Sequence, residues 1–470
     1  MEKNILFKVK KNKSSSKIVL LFLFAVMMGS FCYLKKWKAA ETPGKIINWD
    51  VTSYYSYLPA TFIYGDLTLE FLKKYPEKKF EEHHQFFYQI APNGSRVCKF
   101  TMGMAILYSP FFFLAHGCAH LFNYTADGFS LPYEFFLNLS CLFYLSIGLL
   151  YLRKTLLLYY SDVISSFVLI SIMLGTNLYY YSTTEPAMSH AYSFSLVAVF
   201  MYQFIIWHCH PQLKRAVMLG VSFGLIVLVR PVNCIIILFP IFYDVFSKKS
   251  FLKKIDKYIL LWKDLVTMAV SFIITVSPQL IYWKYMTGHF LFYSYQDEKF
   301  YFNHPHFIEG LFSFRNGWLI YTPIMIFAFI GFVILNKRKR QLFFASSIFT
   351  LINIFIAYCW WTWWYGGSFG SRPMIDTYAL MAIPLAAFFE YLFERSKSII
   401  ISITSLVVLL ISLNLFQTYQ KSIGIIHWDS MTKEAYMEVF LKTKMSFEDC
   451  VKLDKALVHP NYEHAMKGME

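Results

Sequence analysis

The stretch "SIIISITSLVVLLISLNLF", residues 398 to 416, contains no charged side chain in 19 positions. An α-helix of this length rises about 28 Å, close to the hydrocarbon thickness of a bilayer. Uncharged apolar runs of this length are typical of transmembrane helices. The segment therefore predicts a membrane-spanning helix, and similar segments recur along the chain.

The composition of the whole chain agrees with this interpretation. Of its 470 residues, 57% are hydrophobic and only 16% are charged, whereas soluble domains carry about 25% charged residues. The formal net charge of +15 could suggest a nucleic-acid partner. The Lys and Arg residues instead lie in short clusters between apolar runs, which indicates orientation in a bilayer. We predict an all-α polytopic membrane protein.

Nine runs are long and apolar enough to be clear candidates for spans. They are residues 18–34, 133–152, 162–182, 192–207, 263–283, 318–335, 342–360, 374–393 and 398–416. Two further segments are ambiguous. Residues 101–122 are apolar but include Pro110, two histidines and two glycines, and residues 216–246 are interrupted by "LVRPVN".

The basic clusters distinguish between the topologies. With a cytoplasmic N-terminus, a segment 101–122 that dips in without crossing, and a helical hairpin over 216–246 with Arg230 at its tip, all basic clusters fall on one side. These clusters are Arg153 and Lys154, Lys214 and Arg215, and residues 248–257, 336–340 and 394–397. We therefore predict about 11 crossings. If both ambiguous segments cross once, the first two clusters move outside, and that topology fits less well.

This topology divides the chain into three parts. Residues 1–17 are a basic cytoplasmic N-terminus, residues 18–416 are the transmembrane domain, and residues 417–470 are a tail on the outer side. A large first outer loop, residues 35–132, includes the segment 101–122. The eight cysteines show no paired spacing of a zinc site. A Cys98–Cys450 disulfide stays open for an oxidising compartment.

Unusual polar residues collect on the outer side. Ionisable residues at membrane depth cost a few kcal/mol each and are functional candidates by default. Several basic side chains facing a region with two acids suggest a site for an anion together with a base. The residues are Asp50, Lys99, Glu185, His190, Arg315 and Arg372, with Arg230 pointing to the same side from within the apolar zone.

Prolines mark two of these positions. Pro186 and Pro231 each open an apolar run, as a proline at the first helical position does, so Glu185 and Arg230 should leave the helical path. Exposed backbone N–H groups at helix starts favour phosphate. Each residue also has a plainer interpretation. Glu185 and His190 could be paired interfacial residues, Lys99 a snorkelling anchor, and "WWTWWYGG" an interfacial aromatic belt.

Several motifs, taken in order, resemble the bacterial multi-spanning glycosyltransferases of the GT-C fold. This superfamily includes the protein O-mannosyltransferases and the aminoarabinose transferase that modifies lipid A. The similar segments are "NWD" at 48–50, "KFTMGMAILYSPFFFLAH" at 99–116, "EPAMSHAYSF" at 185–194, "RPVN" at 230–233 and "WWYGGSFGSRPMID" at 363–376. The resemblance covers about residues 18 to 395. A lone acid at position 50, where several relatives carry two adjacent acids, leaves metal dependence open.

The resemblance implies a GT-C-like bundle that transfers a sugar from a polyprenyl-phosphate donor to a lipid, glycan or protein acceptor, with inversion. It implies a bacterial cytoplasmic membrane, an active site facing outward, and no nucleic-acid partner. Asp50 would be the base or a ligand of a divalent metal, with Glu185 and His190 as further catalytic candidates. The phosphate-binding candidates are Lys99, Arg230, Arg315 and Arg372, and the substrate-lining candidates are Tyr54, Tyr55, Trp364 and Tyr365.

Two other classes of protein stay open. A lipid-linked sugar flippase or transporter also has broken helices and charge at membrane depth, but it should carry polar residues along a path to both sides. A non-enzymatic subunit of envelope assembly would need neither Asp50 nor the arginines.

Overall fold

The computed structural model describes residues 14–38, 46–75, 78 and 80–469. Most of these residues are helical. In chain order the α-helices are α1 Ser15–Leu34, α2 Asp50–Tyr55, α3 Tyr57–Phe62, α4 Phe71–Lys74, α5 Phe80–His83, α6 Gly103–Leu121, α7 Leu131–Leu156, α8 Asp162–Leu174, α9 Leu178–Thr183, α10 Ser189–Cys209, α11 Leu213–Val229, α12 Leu238–Phe242, α13 Lys248–Leu260, α14 Trp262–Thr287, α15 Phe307–Phe312, α16 Trp318–Tyr321, α17 Ile326–Arg338, α18 Arg340–Tyr358, α19 Tyr378–Leu392, α20 Lys397–Ser422, α21 Lys433–Val439, α22 Phe447–Ala456 and α23 Tyr462–Met466.

Short 3₁₀-helices and one β-hairpin complete the regular structure. The 3₁₀-helices are Lys36–Lys38, Pro231–Ile237, Pro323–Met325 and Arg372–Thr377. Strands β1 Tyr88–Ile90 and β2 Arg96–Cys98 pair antiparallel in the loop between α5 and α6, with Gln89 opposite Val97. The sequence analysis did not predict this hairpin.

Eight helical segments in the described part of the chain are long and apolar enough to cross a membrane. They are Ser15–Lys38, Gly103–Leu121, Leu131–Leu156, Ser189–Cys209, Trp262–Thr287, Arg340–Tyr358, Arg372–Leu392 and Lys397–Ser422. The class of all-α, multi-pass membrane protein is therefore confirmed. Two predicted spans are instead broken into shorter helices: residues 162–182 at Gly175, and residues 318–335 before Pro323.

The long helices differ in how much protein surrounds them. In the segment Arg372–Leu392, 89% of the 18 most apolar consecutive residues are buried. The corresponding share is 11% in Ser15–Lys38 and in Lys397–Ser422. Several exposed side chains on α20, such as Ile401 and Leu409, are large and apolar, which suits contact with lipid. Helices α10 and α19 thus form the centre of the bundle, and α1, α14 and α20 lie at its periphery.

Small residues let neighbouring helices approach closely, as in other membrane bundles. A Cβ atom added to Gly331 of α17 would lie 1.9 Å from the carbonyl oxygen of Pro384 in α19. A Cβ atom on Gly220 of α11 would lie 2.3 Å from the carbonyl oxygen of Met268 in α14. Backbone packs directly on backbone at both contacts, so neither position has room for a side chain.

The two ambiguous segments adopt different structures. The chain leaves the helix at Arg230, which has extended backbone with φ −149° and ψ 103° before Pro231, as the proline predicts. Residues 103–121 form one continuous helix that lies against the first half of α7. The Tyr144 hydroxyl donates to the Leu107 carbonyl at 2.9 Å, and the His116 ring lies 2.6 Å from the Tyr133 hydroxyl.

The C-terminal tail folds back onto the bundle through α21, α22 and α23. The Gln420 amide at the end of α20 donates to the Val439 carbonyl at 2.6 Å, and the rings of Phe314 and Tyr436 lie 4.9 Å apart. The open possibility of a Cys98–Cys450 disulfide is not realised. Both cysteines are free, Cys98 buried and Cys450 exposed.

The contact at Gly331 predicts a specific loss of stability. Gly331→Ala forces apart two central helices and should lower the free energy of unfolding by about 1–3 kcal/mol. Gly29→Ala in α1 is the matched control, because no atom lies within 4 Å of its added Cβ, and a helical alanine should be neutral or stabilising. Thermal unfolding in detergent measures both variants. A Gly331→Ala variant as stable as wild type would contradict the close contact.

Candidate functional site

A large cavity of about 1230 Å³ opens between residues 46–101 and the helical bundle. Its wall is formed by residues from several parts of the chain, including α2, the loop before α10, the break at Arg230 and the segment Thr362–Asp376. Five basic side chains (Lys36, Lys99, Arg230, Arg372 and Lys421) and four acidic ones (Asp50, Glu185, Glu298 and Asp376) line it. Such a concave site with a few convergent charges is typical of ligand binding.

Three ion pairs organise these charges. Arg372 Nη1 lies 3.3 Å from Asp50 Oδ2, and Arg230 Nε lies 2.9 Å from Asp376 Oδ2. Lys99 Nζ forms the third pair, with Glu298. Each charged side chain is largely buried, with at most 22% of its surface exposed, and an unpaired buried ion is costly. The pairs therefore allow the cavity to hold concentrated charge of both signs.

Hydrogen bonds to two other parts of the chain hold the segment that leads into Asp50. Glu134 of α7 accepts the Ile46 N–H at 2.8 Å, and the Asn48 side chain accepts the Gln85 N–H at 3.0 Å. Trp49 then adopts φ 51° and ψ −131°, a region that non-glycine residues rarely occupy and that costs about 1–3 kcal/mol. Strain of this kind is typical of functional sites. It turns the chain so that Asp50 begins α2 at the cavity wall.

Arg230 and Arg372 are both placed by proline-marked breaks. Arg230 precedes the 3₁₀-helix Pro231–Ile237, and Arg372 begins the 3₁₀-helix Arg372–Thr377. Asp376, one turn after Arg372, reaches back to Arg230. Arg372 donates one hydrogen bond to a described residue, from Nη1 to Asp50, and its buried Nε has no acceptor there. A guanidinium has five N–H donors, so Arg372 has spare donors for an anion.

Glu185 occupies a separate position in the wall. Its carboxylate accepts the Tyr180 hydroxyl at 2.9 Å, and burial raises the pKa of Glu185 above its usual value. Pro186 does not open α10 as predicted, because the helix begins at Ser189 and residues 185–188 form a turn closed by the Met188 N–H to the Glu185 carbonyl at 3.2 Å. The turn keeps Glu185 at the cavity wall.

Aromatic rings cover much of the remaining wall, among them Tyr54, Phe100, Tyr295, Trp360 and Tyr365. Burial, and secondarily the Asp50 carboxylate, raises the pKa of Tyr54 to about 12, so its hydroxyl stays protonated. Tyr365 has φ 59° and is followed by Gly366 at φ 60°. A side chain at Gly366 would be strained, so this glycine lets the aromatic segment turn at the cavity.

Seven predicted site residues line the cavity: Asp50, Tyr54, Lys99, Glu185, Arg230, Tyr365 and Arg372.

Four predicted site residues lie elsewhere. His190 is fully buried behind Arg230, with Nδ1 3.5 Å from Arg230 Nη1. Tyr55 is buried and donates to the Gly128 carbonyl at 2.5 Å. Arg315 donates to the Val458 carbonyl at 2.8 Å in the tail and lies over the buried Trp364 ring. These four residues therefore pack behind the residues of the cavity wall and do not line the cavity.

Sequence reasoning missed Asp376, Glu298 and Lys421. Asp376 ends the quoted motif "WWYGGSFGSRPMID", but its partner is the distant Arg230. Glu298 lies in the loop after α14, in a polar segment without a distinctive pattern. Lys421 lies at the end of α20, where a basic residue is ordinary. Their roles depend on contacts that sequence spacing does not show.

The possible role of Asp50 as a metal ligand stays a prediction. The neighbouring Arg372 guanidinium opposes a cation at that carboxylate. Among the residues that the structure describes, one group of three has metal-ligating spacing: His427, Asp429 and His459. Asp50 is not part of that group.

No protein-family model matches the chain, and no curated protein sequence matches it. The GT-C resemblance therefore remains a hypothesis drawn from the motifs, and the functional argument rests on the geometry of the cavity.

The Arg230–Asp376 pair generates a prediction about stability. Asp376→Asn removes the counter-charge of a largely buried guanidinium and should lower the free energy of unfolding by about 1–3 kcal/mol. Asp256→Asn, an exposed residue of α13, is the matched control and should change it by less than about 0.5 kcal/mol. Thermal unfolding of the purified variants in detergent is the measurement. Equal stability of the two variants would show that the pair is not needed by the fold.

Proposed function

We propose that the protein is an integral membrane glycosyltransferase that moves a sugar from a polyprenyl-phosphate donor to a lipid, glycan or protein acceptor on the outer face of the membrane. The observation that carries the proposal is the Asp50–Arg372 pair, with its 3.3 Å separation, in the wall of the 1230 Å³ cavity. A carboxylate that can take a proton and a guanidinium that can hold a phosphate lie side by side there. GT-C-like chemistry needs both groups at one place.

Donor binding uses the basic side chains. Arg372 and Arg230 bind the donor phosphate through charge-assisted hydrogen bonds, with Lys99 and Lys421 adding positive charge at the wall. The phosphate competes with Asp50 for Arg372. Binding of the donor thus frees the carboxylate at the moment when a base is needed, and this couples the two halves of the site.

The transfer step proceeds with inversion at the sugar. The acceptor oxygen or nitrogen attacks the anomeric carbon, and Asp50 accepts the proton that the acceptor loses. The bond between the anomeric carbon and the phosphate oxygen breaks, and its electron pair leaves with the polyprenyl phosphate. The arginines stabilise the charge that develops on this leaving group. His190 acts indirectly, because it contacts Arg230 rather than the cavity.

The same proposal includes about 11 crossings in a bacterial cytoplasmic membrane, with the cavity facing outward. Contacts between α3 with its following turn and the residues that flank α6 support a segment 101–122 that does not cross. The Tyr57 hydroxyl donates to the Phe100 carbonyl before α6 at 2.7 Å, and the Tyr64 hydroxyl donates to the Asp127 carbonyl after it at 2.9 Å. One short stretch of the chain therefore contacts residues before and after the helix.

Cysteine labelling in intact cells tests this topology. In a background without accessible native cysteines, Asn93→Cys, Thr125→Cys and Lys455→Cys should react with an impermeant maleimide, and Lys337→Cys should react only after lysis. All four positions are exposed, so a difference reflects the side of the membrane. Labelling of Lys337→Cys alone would reverse the topology. Protection of Thr125→Cys with labelling of Asn93→Cys would show that α6 crosses.

Separate roles for Asp50 and Arg372 predict different kinetic effects. Asp50→Asn is nearly isosteric but cannot take a proton, so turnover should fall by roughly 10²-fold or more with donor binding largely retained. Arg372→Ala should weaken donor binding by roughly 10-fold to 100-fold, because a contact to a charged group contributes about 1.5–3 kcal/mol. Lysine should be a poor replacement. Sugar transfer and binding of a polyprenyl-phosphate sugar in nanodiscs are the measurements.

Asp256→Asn and Arg395→Ala, each at an exposed position, are the controls for this experiment. Both variants should leave turnover and donor binding unchanged. Full activity of Asp50→Asn would remove it as the base. Donor binding without transfer in the wild-type protein, together with movement of the donor across the bilayer, would support the flippase instead. Loss of an envelope sugar in cells without the protein would identify the donor and acceptor.

A further inference from the structure

The C-terminal tail contains a cluster of metal-ligating side chains at the edge of the cavity, separate from Asp50 and Arg372. His427, Asp429 and His459 each offer one ligand atom, and these atoms all lie within 4.8 Å of one another. His427 and Asp429 precede α21, and His459 follows α22. The tail thus brings together residues about thirty positions apart.

The hydrogen bonds of the cluster leave His427 Nδ1 unprotonated, and its single lone pair is used only by long N–H contacts that a metal ion would replace. Backbone N–H groups of Asp429 and Ser430 donate to His427 Nδ1 at 3.4 and 3.2 Å, so this nitrogen is an acceptor. It nevertheless lies 3.5 Å from Asp429 Oδ1, another acceptor. Two facing acceptors repel each other, and a cation between them would turn that repulsion into attraction.

The third ligand is oriented by Ser430. The Ser430 hydroxyl donates to Asp429 Oδ1 at 2.6 Å and lies 2.9 Å from His459 Nδ1. Because the hydroxyl hydrogen is used on Asp429, His459 donates its Nδ1–H to the serine oxygen, and His459 Nε2 keeps its lone pair. Partners of this kind fix the tautomer of histidines that bind metals.

Asp429 is held in the same manner. Its carboxylate is 2% exposed, and Oδ2 accepts the Tyr462 hydroxyl at 2.7 Å. Metal-ligating carboxylates usually have such an outer hydrogen bond. Two imidazoles and one carboxylate form a ligand set that suits Zn²⁺ or Co²⁺, with a water in the fourth position.

We propose that a divalent transition-metal ion of the Zn²⁺ class binds His427, Asp429 and His459 and fastens the C-terminal tail beside the cavity. Small side-chain rotations would bring the ligand atoms to the separation of about 3.3 Å that a tetrahedral zinc site requires. The ion links His427 and Asp429 to His459 and so closes the loop that contains α21 and α22. Such a cross-link lowers the conformational entropy of the unfolded chain.

The bound ion would also hold part of the cavity wall in place. His427, Trp428 and Tyr462 line the cavity. The Trp428 carbonyl accepts the Ser368 N–H and the Asn316 side-chain N–H, each at 3.2 Å. These bonds connect the tail to the aromatic segment next to Arg372. The role of the ion is therefore positional, and it does not depend on the proposed sugar transfer.

Metal analysis of the purified full chain in detergent tests the proposal. After treatment with EDTA and dialysis against Zn²⁺, we expect about one Zn²⁺ per chain by mass spectrometry. Co²⁺ should give the visible absorption of a tetrahedral site. His459→Ala and Asp429→Asn should each weaken binding by 10-fold or more, and Tyr462→Phe by about 10-fold. His464→Ala, in the same tail but outside the group, is the matched control and should bind normally.

Thermal unfolding gives a second measurement. Zn²⁺ in 100-fold excess over its Kd should raise the unfolding temperature of wild type and of His464→Ala but not of His459→Ala. No bound metal in wild type, or equal binding by wild type and His459→Ala, would overturn the proposal. Such a result would leave the proposed transferase intact, because Asp50 and Arg372 are outside this group.

Discussion

Charges placed among apolar helices need counter-charges, and this constraint governs the cavity region. Arg372 pairs with Asp50 across 322 positions of the sequence, and Arg230 pairs with Asp376. These contacts fasten the start of α2, the break after α11 and the start of the α19 segment to one another. The same groups would bind and activate a charged substrate. The features that hold the cavity together are thus the features proposed to work in it.

The apolar runs predicted most of the fold because length and hydropathy alone decide whether a helix can cross a bilayer. Pro231 also fixed the break at Arg230, since a residue before proline leaves the helical region. Other breaks were missed. Residues 162–182 and 318–335 are apolar throughout most of their length, but Gly175 and Pro323 end helices inside them. Tertiary packing compensates for those interruptions, and packing is not visible in hydropathy.

For the site, the unusual position of a charge was the useful signal. Asp50, Arg230 and Arg372 were predictable because each is costly where the hydropathy places it. Asp376 and Glu298 were missed because their partners, Arg230 and Lys99, are distant in sequence. Arg315 was predicted at the site as a charge on the predicted outer side, and Trp364 was predicted there from the GT-C resemblance, yet Arg315 contacts the tail and covers Trp364. The direction of the side chain, rather than the residue type, decides which predicted residues line the cavity.

The separation of 322 residues between Asp50 and Arg372 also has a consequence for biosynthesis. At typical elongation rates, roughly 15 to 65 s pass between synthesis of the two residues. During that time the first outer loop has left the ribosome while its ionic partner does not yet exist. The cavity can therefore be assembled only late, after most helices have been inserted. A ribosome that stalls before residue 372 would release a chain whose early segments can enter the membrane but cannot form the paired charges of the site.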